Sequence, residues 1–479
     1  MRTRCTSGAT FIAWLAALLV SALPAGAGFG GSRPGTVEIG YLVVSRWPQG
    51  FTAQLTISNN GPRALQDWQL AFRLPARITQ IWNAAILSNR DDRYVLGPAV
   101  WADQNTLAPG RSLRIGWVAS GQPIAPTGVA LNEVPVRLNE PFATPPPTRA
   151  RVVAATAWPR NSFAPYVDAT LWPPLSLSTA AAQLGLRHFR LGFIVAASLS
   201  EPRPTWGGTV SATSAFRLGE INEIRNRGGD VALSLGGQAG VELALAARST
   251  TELVTAYQSV IDTYQARVLD FDLEGLALTD HPSIERRAEA LAIIQQAMTR
   301  AHRPLEIWLT LPALPRGLTA GGTQVIRSAL AHGVQLRGVN AMTMNYGEAV
   351  APGSRGRMGQ YALQAARSVH EQLRALFAAS GRSLDEVQLW HMIGLTPMIG
   401  RNDVGEEIFE LSDADRLLSF ASARHIGALS LWSLNRDRPC GPTGSAQGQE
   451  VRASAICSSI AQLPYEFTRI LRTFDALSE

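Results

Sequence analysis

A chain of 479 residues is too long for one compact unit and points to two or three domains, one of them large enough to be a barrel. Its make-up, 46% hydrophobic and 17% charged, is that of an ordinary globular protein and excludes both a disordered chain and a membrane-embedded one. The 43 basic residues outnumber the 37 acidic ones only through arginine, and the arginines are scattered; without a basic stripe or patch, nucleic acid is a poor partner and an uncharged polymer a better one.

At the start of the chain, Arg2 and Arg4 precede an apolar run from Phe11 to Leu23 and the small-residue sequence Ala25-Gly26-Ala27. That is the build of a cleavable secretory signal over residues 1–27, and the run falls short of the roughly 20 apolar residues that a membrane span needs. Export is expected, to a secreted, extracellular location. With Cys5 lost in the signal, Cys440 and Cys457 are the remaining cysteines, and an oxidising compartment would let them pair. Two buried free thiols are the alternative. No His partner nominates either as a nucleophile.

From Val37 to Val136, short alternating runs such as Phe51-Thr52-Ala53-Gln54-Leu55-Thr56-Ile57 and Trp68-Gln69-Leu70-Ala71-Phe72 are separated by Asn-Asn-Gly-Pro and Ala-Pro-Gly turns. Period-two alternation at this spacing predicts an all-β, immunoglobulin-like sandwich over residues 35–138. Pro141 and Pro145-Pro146-Pro147 then mark a stiff linker over residues 139–150.

Beyond the linker, apolar runs (Val152 to Ala155, His188 to Val195, Val231 to Leu235, Val268 to Leu273) alternate with Ala-rich helical stretches such as Thr250 to Tyr264. Strand and helix repeating over residues 151–479 predict an α/β unit, a TIM (β/α)8 barrel, with a doubly wound sheet as the alternative. The Gly-rich phosphate loop that would favour the second is missing after the first strand.

The run Val268-Leu269-Asp270-Phe271-Asp272-Leu273-Glu274-Gly275 places Asp270, Asp272 and Glu274 on one face of a strand. The intervening Leu269, Phe271 and Leu273 must face outer helices, which leaves the acids inside. Mutual repulsion in a low-dielectric interior would raise at least one carboxyl pKa, giving an acid poised to donate a proton near neutral pH.

This run resembles the Asp-x-x-Asp-x-Asp-x-Glu signature of the chitinases of glycoside hydrolase family 18. The likeness extends in barrel order to Phe163–Asp168, Ser234-Leu235-Gly236-Gly237, Met342-Thr343-Met344-Asn345-Tyr346-Gly347, Thr396–Asp403 and Leu431–Asp437. The resemblance implies hydrolysis of chitin with retention, Glu274 protonating the glycosidic oxygen while the substrate's own acetamido oxygen attacks. It implies that Asp272 hydrogen-bonds the acetamido N–H, that Asp270 shares a proton behind it, and that Tyr346 steadies the acetamido carbonyl. Trp432 would floor the reacting sugar's subsite, with Met344 and Asn345 beside it; a core Trp is the alternative for Trp432. Two positions depart from the pattern: Arg267 stands where the first Asp would, and Asn345 where Asp is usual between Met and Tyr. The second removes a charge near the acid.

Of 12 tryptophans, Trp47, Trp68, Trp82, Trp101 and Trp117 fall in the sandwich. Trp68 and Trp117 lie inside alternating runs and read as core; Trp47, Trp82 and Trp101 precede turn-like or polar residues and read as exposed rings able to stack on sugars. The segment resembles a family 2 carbohydrate-binding module through Trp47-Pro48-Gln49-Gly50-Phe51, Trp82-Asn83-Ala84 and Leu107-Ala108-Pro109-Gly110. That family's terminal disulfide is replaced by Val37 and Val136, which suggests an apolar contact. Such modules bind cellulose or chitin. The expected partner is therefore chitin or a related polysaccharide, held by a monomer. No cofactor is called for, and the 7 His residues show no metal-ligand spacing. An endo-N-acetylglucosaminidase on other glycans and a non-catalytic chitin-binding lectin are the competing readings; a cellulase would lack the acetamido nucleophile.

Overall fold

The alternation between Val37 and Val136 builds two five-stranded sheets around one core. One runs in the order Leu138–Asn139, Val37–Trp47, Gly50–Asn59, Ser112–Ser120, Arg77–Trp82; the other in the order Val134–Pro135, Thr127–Leu131, Leu70–Arg73, Arg93–Gly97, Ala85–Arg90. The computed structural model describes residues 37–47, 50–98, 106–139, 152–171, 174–440 and 453–476. The expected signal, the linker beyond Asn139, Trp101 and the side chain of Trp47 lie outside the described residues. Phe51, Ala53, Leu55 and Ile57 all point inward, as the period of two requires, and Trp68 and Trp117 are buried as expected. Trp117 stacks on Tyr41 and Phe72 with centroids 5.8 and 5.6 Å apart, joining the two sheets through aromatic area. Val37 and Val136 both pack half-buried on this core, two residues before the registered pair Ile39 and Leu138, so an apolar seam stands where the resemblance places a bridge.

The second unit is built on eight parallel strand segments: β1 (Ser162–Phe163 and Tyr166–Asp168), β2 (His188–Ser198), β3 (Asp230–Gly236), β4 (Val268–Asp272), β5 (Glu306–Leu314), β6 (Leu336–Met342), β7 (Ile393–Thr396) and β8 (Ala428–Leu429). Each pairs with the next, and Ser162–Phe163 pairs with β8. Parallel strands of this kind are buried on both faces, which is why these runs read as almost continuously apolar. Between strands the chain is helical. Helix Thr250–Tyr264, for example, starts where the Ser249 side chain accepts from the Glu252 N–H, and it turns Leu253, Ala256, Tyr257, Val260, Ile261 and Tyr264 inward.

One strand lies elsewhere than the sequence suggests. Val152 to Ala155 belongs to no strand, and the first strand begins ten residues later, at Ser162. The backbone of this segment is satisfied by side chains instead: Val153 N–H donates to Asn222 Oδ1 at 3.0 Å, and Val153 C=O accepts from Arg225 at 3.1 Å. Alternation of Val and Ala could not distinguish the two outlets for these groups. Arg225 also binds Asp230 at 2.7 Å and the Tyr264 carbonyl at 2.8 Å, a buried pair at the start of β3.

Cys440 and Cys457 form a disulfide, as an oxidising compartment would allow. It fixes the segment from Ala453 onward, whose Ser458 carbonyl accepts from Arg401 N–H at 2.8 Å. Asp437 caps the tail, accepting from Gln462 and from the Phe467 and Thr468 N–H groups.

Removing the Arg225 guanidinium leaves Asp230 buried without its countercharge. Arg225→Met should lower the unfolding free energy by about 3–5 kcal/mol, read from urea unfolding. A loss below about 1 kcal/mol, the worth of an exposed pair, would show that the site is not dry.

Candidate active site

Asp270 and Asp272 follow one another up the inner face of β4 and Glu274 stands just beyond its end, while Phe271 packs edge-on against Tyr257 of the outer helix at 5.3 Å. Asp270 is wholly buried. It accepts from Tyr166 Oη at 2.6 Å (β1), Arg190 at 2.8 Å (β2), Ser234 Oγ at 2.7 Å (β3) and Thr310 Oγ1 at 2.6 Å (β5). Thr310 in turn receives Asn340 Nδ2 of β6 at 3.0 Å, and Asn340 Oδ1 accepts from Thr396 of β7 at 2.9 Å. A polar belt therefore crosses the interior from β1 to β7.

The Ser-Leu-Gly-Gly run on β3 has a role residue by residue. Ser234 binds Asp270; Gly236 and Gly237 have φ of 105° and 83°, which only glycine adopts without strain. A Cβ at Gly236 would stand 2.0 Å from the Asp272 carbonyl, and one at Gly237 would stand 2.8 Å from the Phe193 ring. These glycines let β3 close against the end of β4 where the acids lie.

Asp272 is buried and its carboxyl is hydrogen-bonded to Glu274. Its Oδ1 has no hydrogen-bond partner among the described residues. Burial is the largest cause that raises its pKa well above the ordinary value, followed by the Glu274 and Asp270 charges, with Arg190 opposing. Glu274 is also raised, again chiefly by burial; its hydrogen bond with Asp272 pulls the other way and the Asp403 charge adds to the rise. Repulsion between strand neighbours, the cause expected from spacing, is thus second to desolvation. The pair holds a proton at pH values where free carboxyls have lost theirs.

Above this pair opens a cleft of about 330 Å³, whose sides include Trp432, Phe193 and Tyr166 on one hand and Met344, Asn345 and Asp403 on the other. Trp432 is half-buried, stacks on Phe193 with centroids 5.5 Å apart, and meets Tyr166 edge-on at 6.1 Å. Tyr346 is not brought to the cleft in this way. Its ring is buried edge-on against Tyr361 at 6.2 Å, behind Met344 and Asn345. Asn345 takes a left-handed φ of 54°, and the distant Glu407 accepts from the Tyr346 and Gly347 N–H groups at 3.1 and 2.6 Å, fixing the course of the chain here. Asn345 clasps Asp403 both ways, its Nδ2 donating to Oδ2 at 3.2 Å and its Oδ1 accepting from the Asp403 N–H at 3.0 Å. Trp82 lies on the other unit and does not line this cleft. Arg190, Phe193 and Asp403 were assigned no role from sequence. An Arg inside the apolar run of β2 was the available signal for the first; nothing in the sequence singles out the other two. Among the described residues no group of three His, Cys, Asp or Glu side chains could hold a metal.

Residues 37–134 match the family described as cellulose binding domain. Over 289 residues the chain is 37% identical to a probable bifunctional chitinase/lysozyme of Escherichia coli K12, covering 60% of this chain and 32% of that protein. It is 36% identical over 291 residues to endochitinase 11 of Metarhizium anisopliae, covering 60% of this chain and 54% of that one. The chain thus spans about a third and about half of the length of these curated relatives. Among solved structures, the catalytic domain of a hyperthermophilic chitinase from Pyrococcus furiosus superimposes with a TM-score of 0.58 and 32% identity, over 67% of this chain and 97% of that one.

The raised Asp272 pKa carries a stability consequence. Between the ordinary carboxylate value of about 4 and the raised folded value, the folded chain holds a proton that the unfolded chain has released, so stability falls as pH climbs through that window. Asp272→Asn should therefore raise Tm at neutral pH, with the gain shrinking towards about pH 4. A gain independent of pH, measured by calorimetry across that range, would contradict the assignment.

Proposed function

Because the chain belongs to the chitinases among the glycoside hydrolases and carries a module of the cellulose-binding kind, we propose that it is a secreted enzyme that hydrolyses β-1,4 bonds between the N-acetylglucosamine units of chitin. The observation that carries this reading is the Asp272–Glu274 pair, buried, sharing a hydrogen bond and standing at the floor of an aromatic-sided cleft. The eight parallel strands are read as a closed (β/α)8 barrel, in which active sites sit at the C-terminal strand ends where these two residues lie.

Glu274 is the proton donor. Its raised pKa keeps the acid form available, and it delivers the proton to the glycosidic oxygen as the bond to the anomeric carbon breaks. Asp272 and Glu274 are hydrogen-bonded to each other, so they do not flank the bond as a conventional carboxylate pair does; the substrate's acetamido oxygen attacks the anomeric carbon as the leaving sugar departs, and water, giving its proton to the now ionised Glu274, opens the resulting oxazolinium ion to the retained β product. Asp272 Oδ1, which has no partner among the described residues, accepts from the acetamido N–H. Asp270, fixed by four donors, is the rigid base on which Asp272 stands. Trp432 offers its face to the apolar C–H side of the reacting sugar. Asp403 supplies a negative charge that holds the Glu274 proton and stabilises positive charge developing on the sugar. Among the described residues lining the cleft, Asp403 is the carboxylate left for a conventional nucleophile; such an enzyme would also cut polymers that lack acetamido groups. An endo-N-acetylglucosaminidase shares all of this chemistry and differs in the glycan it accepts.

Hydrolysis of N-acetylglucosamine oligomers beside matched glucose oligomers, with the product anomer read by NMR, tests the proposal. Cleavage of the acetylated series alone with β product is expected, and Glu274→Gln should lose about 10²–10⁴ in kcat. Binding without cleavage would leave a lectin.

Asn345→Asp, which restores the residue usual in the resembling family, should not improve this enzyme. It sets a carboxylate against Asp403, opens the clasp, and raises the Glu274 pKa further. Because the acid must be protonated, activity lost on raising pH should be lost at a higher pH, with kcat/KM down by about tenfold, the cost of ~1.4 kcal/mol. An unchanged rate and profile would remove the clasp from the mechanism.

A further inference from the structure

A second hollow, about 640 Å³, opens between the two units. One side is the sheet face around Trp82, Arg114 and Gly116; the other is formed by the loops that leave β1 and β2, with Thr170 and Gly207. Its size lies within the roughly 300–1,000 Å³ of ordinary ligand sites.

Trp82 and Gly116 are registered partners on adjacent strands. A Cβ at Gly116 would come within 2.1 Å of the indole nitrogen, so the missing side chain is what lets the ring lie flat on the sheet, half-buried, with its other face towards the hollow. Across the gap, Gly207 N–H donates to the Phe193 carbonyl at 3.0 Å, and the Phe193 ring lines the catalytic cleft against Trp432. Gly207 at the hollow is thus one hydrogen bond away from Phe193 at the cleft.

We propose that this hollow binds the same polysaccharide strand whose reacting bond lies in the cleft, taking sugar units several positions from that bond. The proposal rests on reading the chain as a chitinase. A flat indole matches the C–H face of an undistorted pyranose, while the Arg114 guanidinium and the Thr170 hydroxyl at the edges reach its hydroxyl and acetamido groups. The module is then a wall of the substrate path as well as an anchor on solid polymer.

The test uses the full chain, with Trp82→Ala on one wall and Thr170→Trp filling the hollow from the other, on soluble N-acetylglucosamine trimer and octamer. Both variants should keep the parent's circular-dichroism spectrum and Tm, which shows that they fold, and both should lose about tenfold in kcat/KM on the octamer relative to the trimer. Octamer affinity in the Glu274→Gln background should fall in parallel and is read without turnover, so it decides the matter even if the parent proves not to be a hydrolase. If Trp82→Ala lowers adsorption to solid polymer while Thr170→Trp leaves octamer turnover and affinity untouched, Trp82 is an anchor alone and the hollow takes no substrate.

Discussion

Everything at the cleft depends on one buried charge pair. Asp270 and Arg190 are both almost fully excluded from solvent, and two charges taken out of water cost several kcal/mol each unless their remaining bonding capacity is met. Asp270 meets that cost with three hydroxyl donors besides the guanidinium. Arg190 places its guanidinium over Trp308 at 5.0 Å and Tyr166 at 5.7 Å, where ring faces attract a cation. Because the donors come from β1, β2, β3 and β5, the pair works as a clamp that fixes the position of β4 among its neighbours. A displacement of β4 along its axis would break all four bonds together.

From that clamp the rest of the site follows by strand geometry. With Asp270 fixed inward, the period of two carries Asp272 inward as well and brings Glu274 to the rim. Each step up the strand moves from a fully bonded carboxylate, through one with a free oxygen, to one half-exposed at the cleft. The three acids are alike in chemistry and differ in surroundings, and the surroundings assign them to support, substrate contact and proton transfer in turn.

Much of this was legible in the sequence because period-two alternation reports which side chains share a face, whatever they touch. That was enough for the sheets of the module, for the buried Trp68 and Trp117, for helix Thr250–Tyr264 and for the line of acids. It was not enough for the segment Val152 to Ala155, where the same pattern serves a chain outside any strand, bonded to Asn222 and Arg225. Nor was it enough for Tyr346. Its neighbours Met344 and Asn345 reach the cleft, but the left-handed Asn345 and the Glu407 contacts fix a course of the chain that leaves the next residue in the core. Glu407 lies sixty-one positions from Tyr346, and no local pattern reports a contact of that span. The cause of the raised carboxyl pKa was misjudged for the same reason: spacing shows neighbouring charges, whereas burial is a property of the assembled fold.

Asn345 shows how far one departure from a family pattern can be interpreted without its surroundings. In sequence it is a lost charge beside the acid. In the structure its amide is bound on both sides by Asp403, and it is Asp403 whose charge acts on Glu274. A carboxylate at position 345 would accept from the Asp403 N–H as the amide oxygen does, but it has no donor to offer Oδ2 in return. The amide is the group that satisfies both partners, and it leaves a single negative charge at this side of the cleft. The substitution and Asp403 therefore form one unit, in which the charge expected on one loop is carried by its neighbour and held in place by the residue that gave it up.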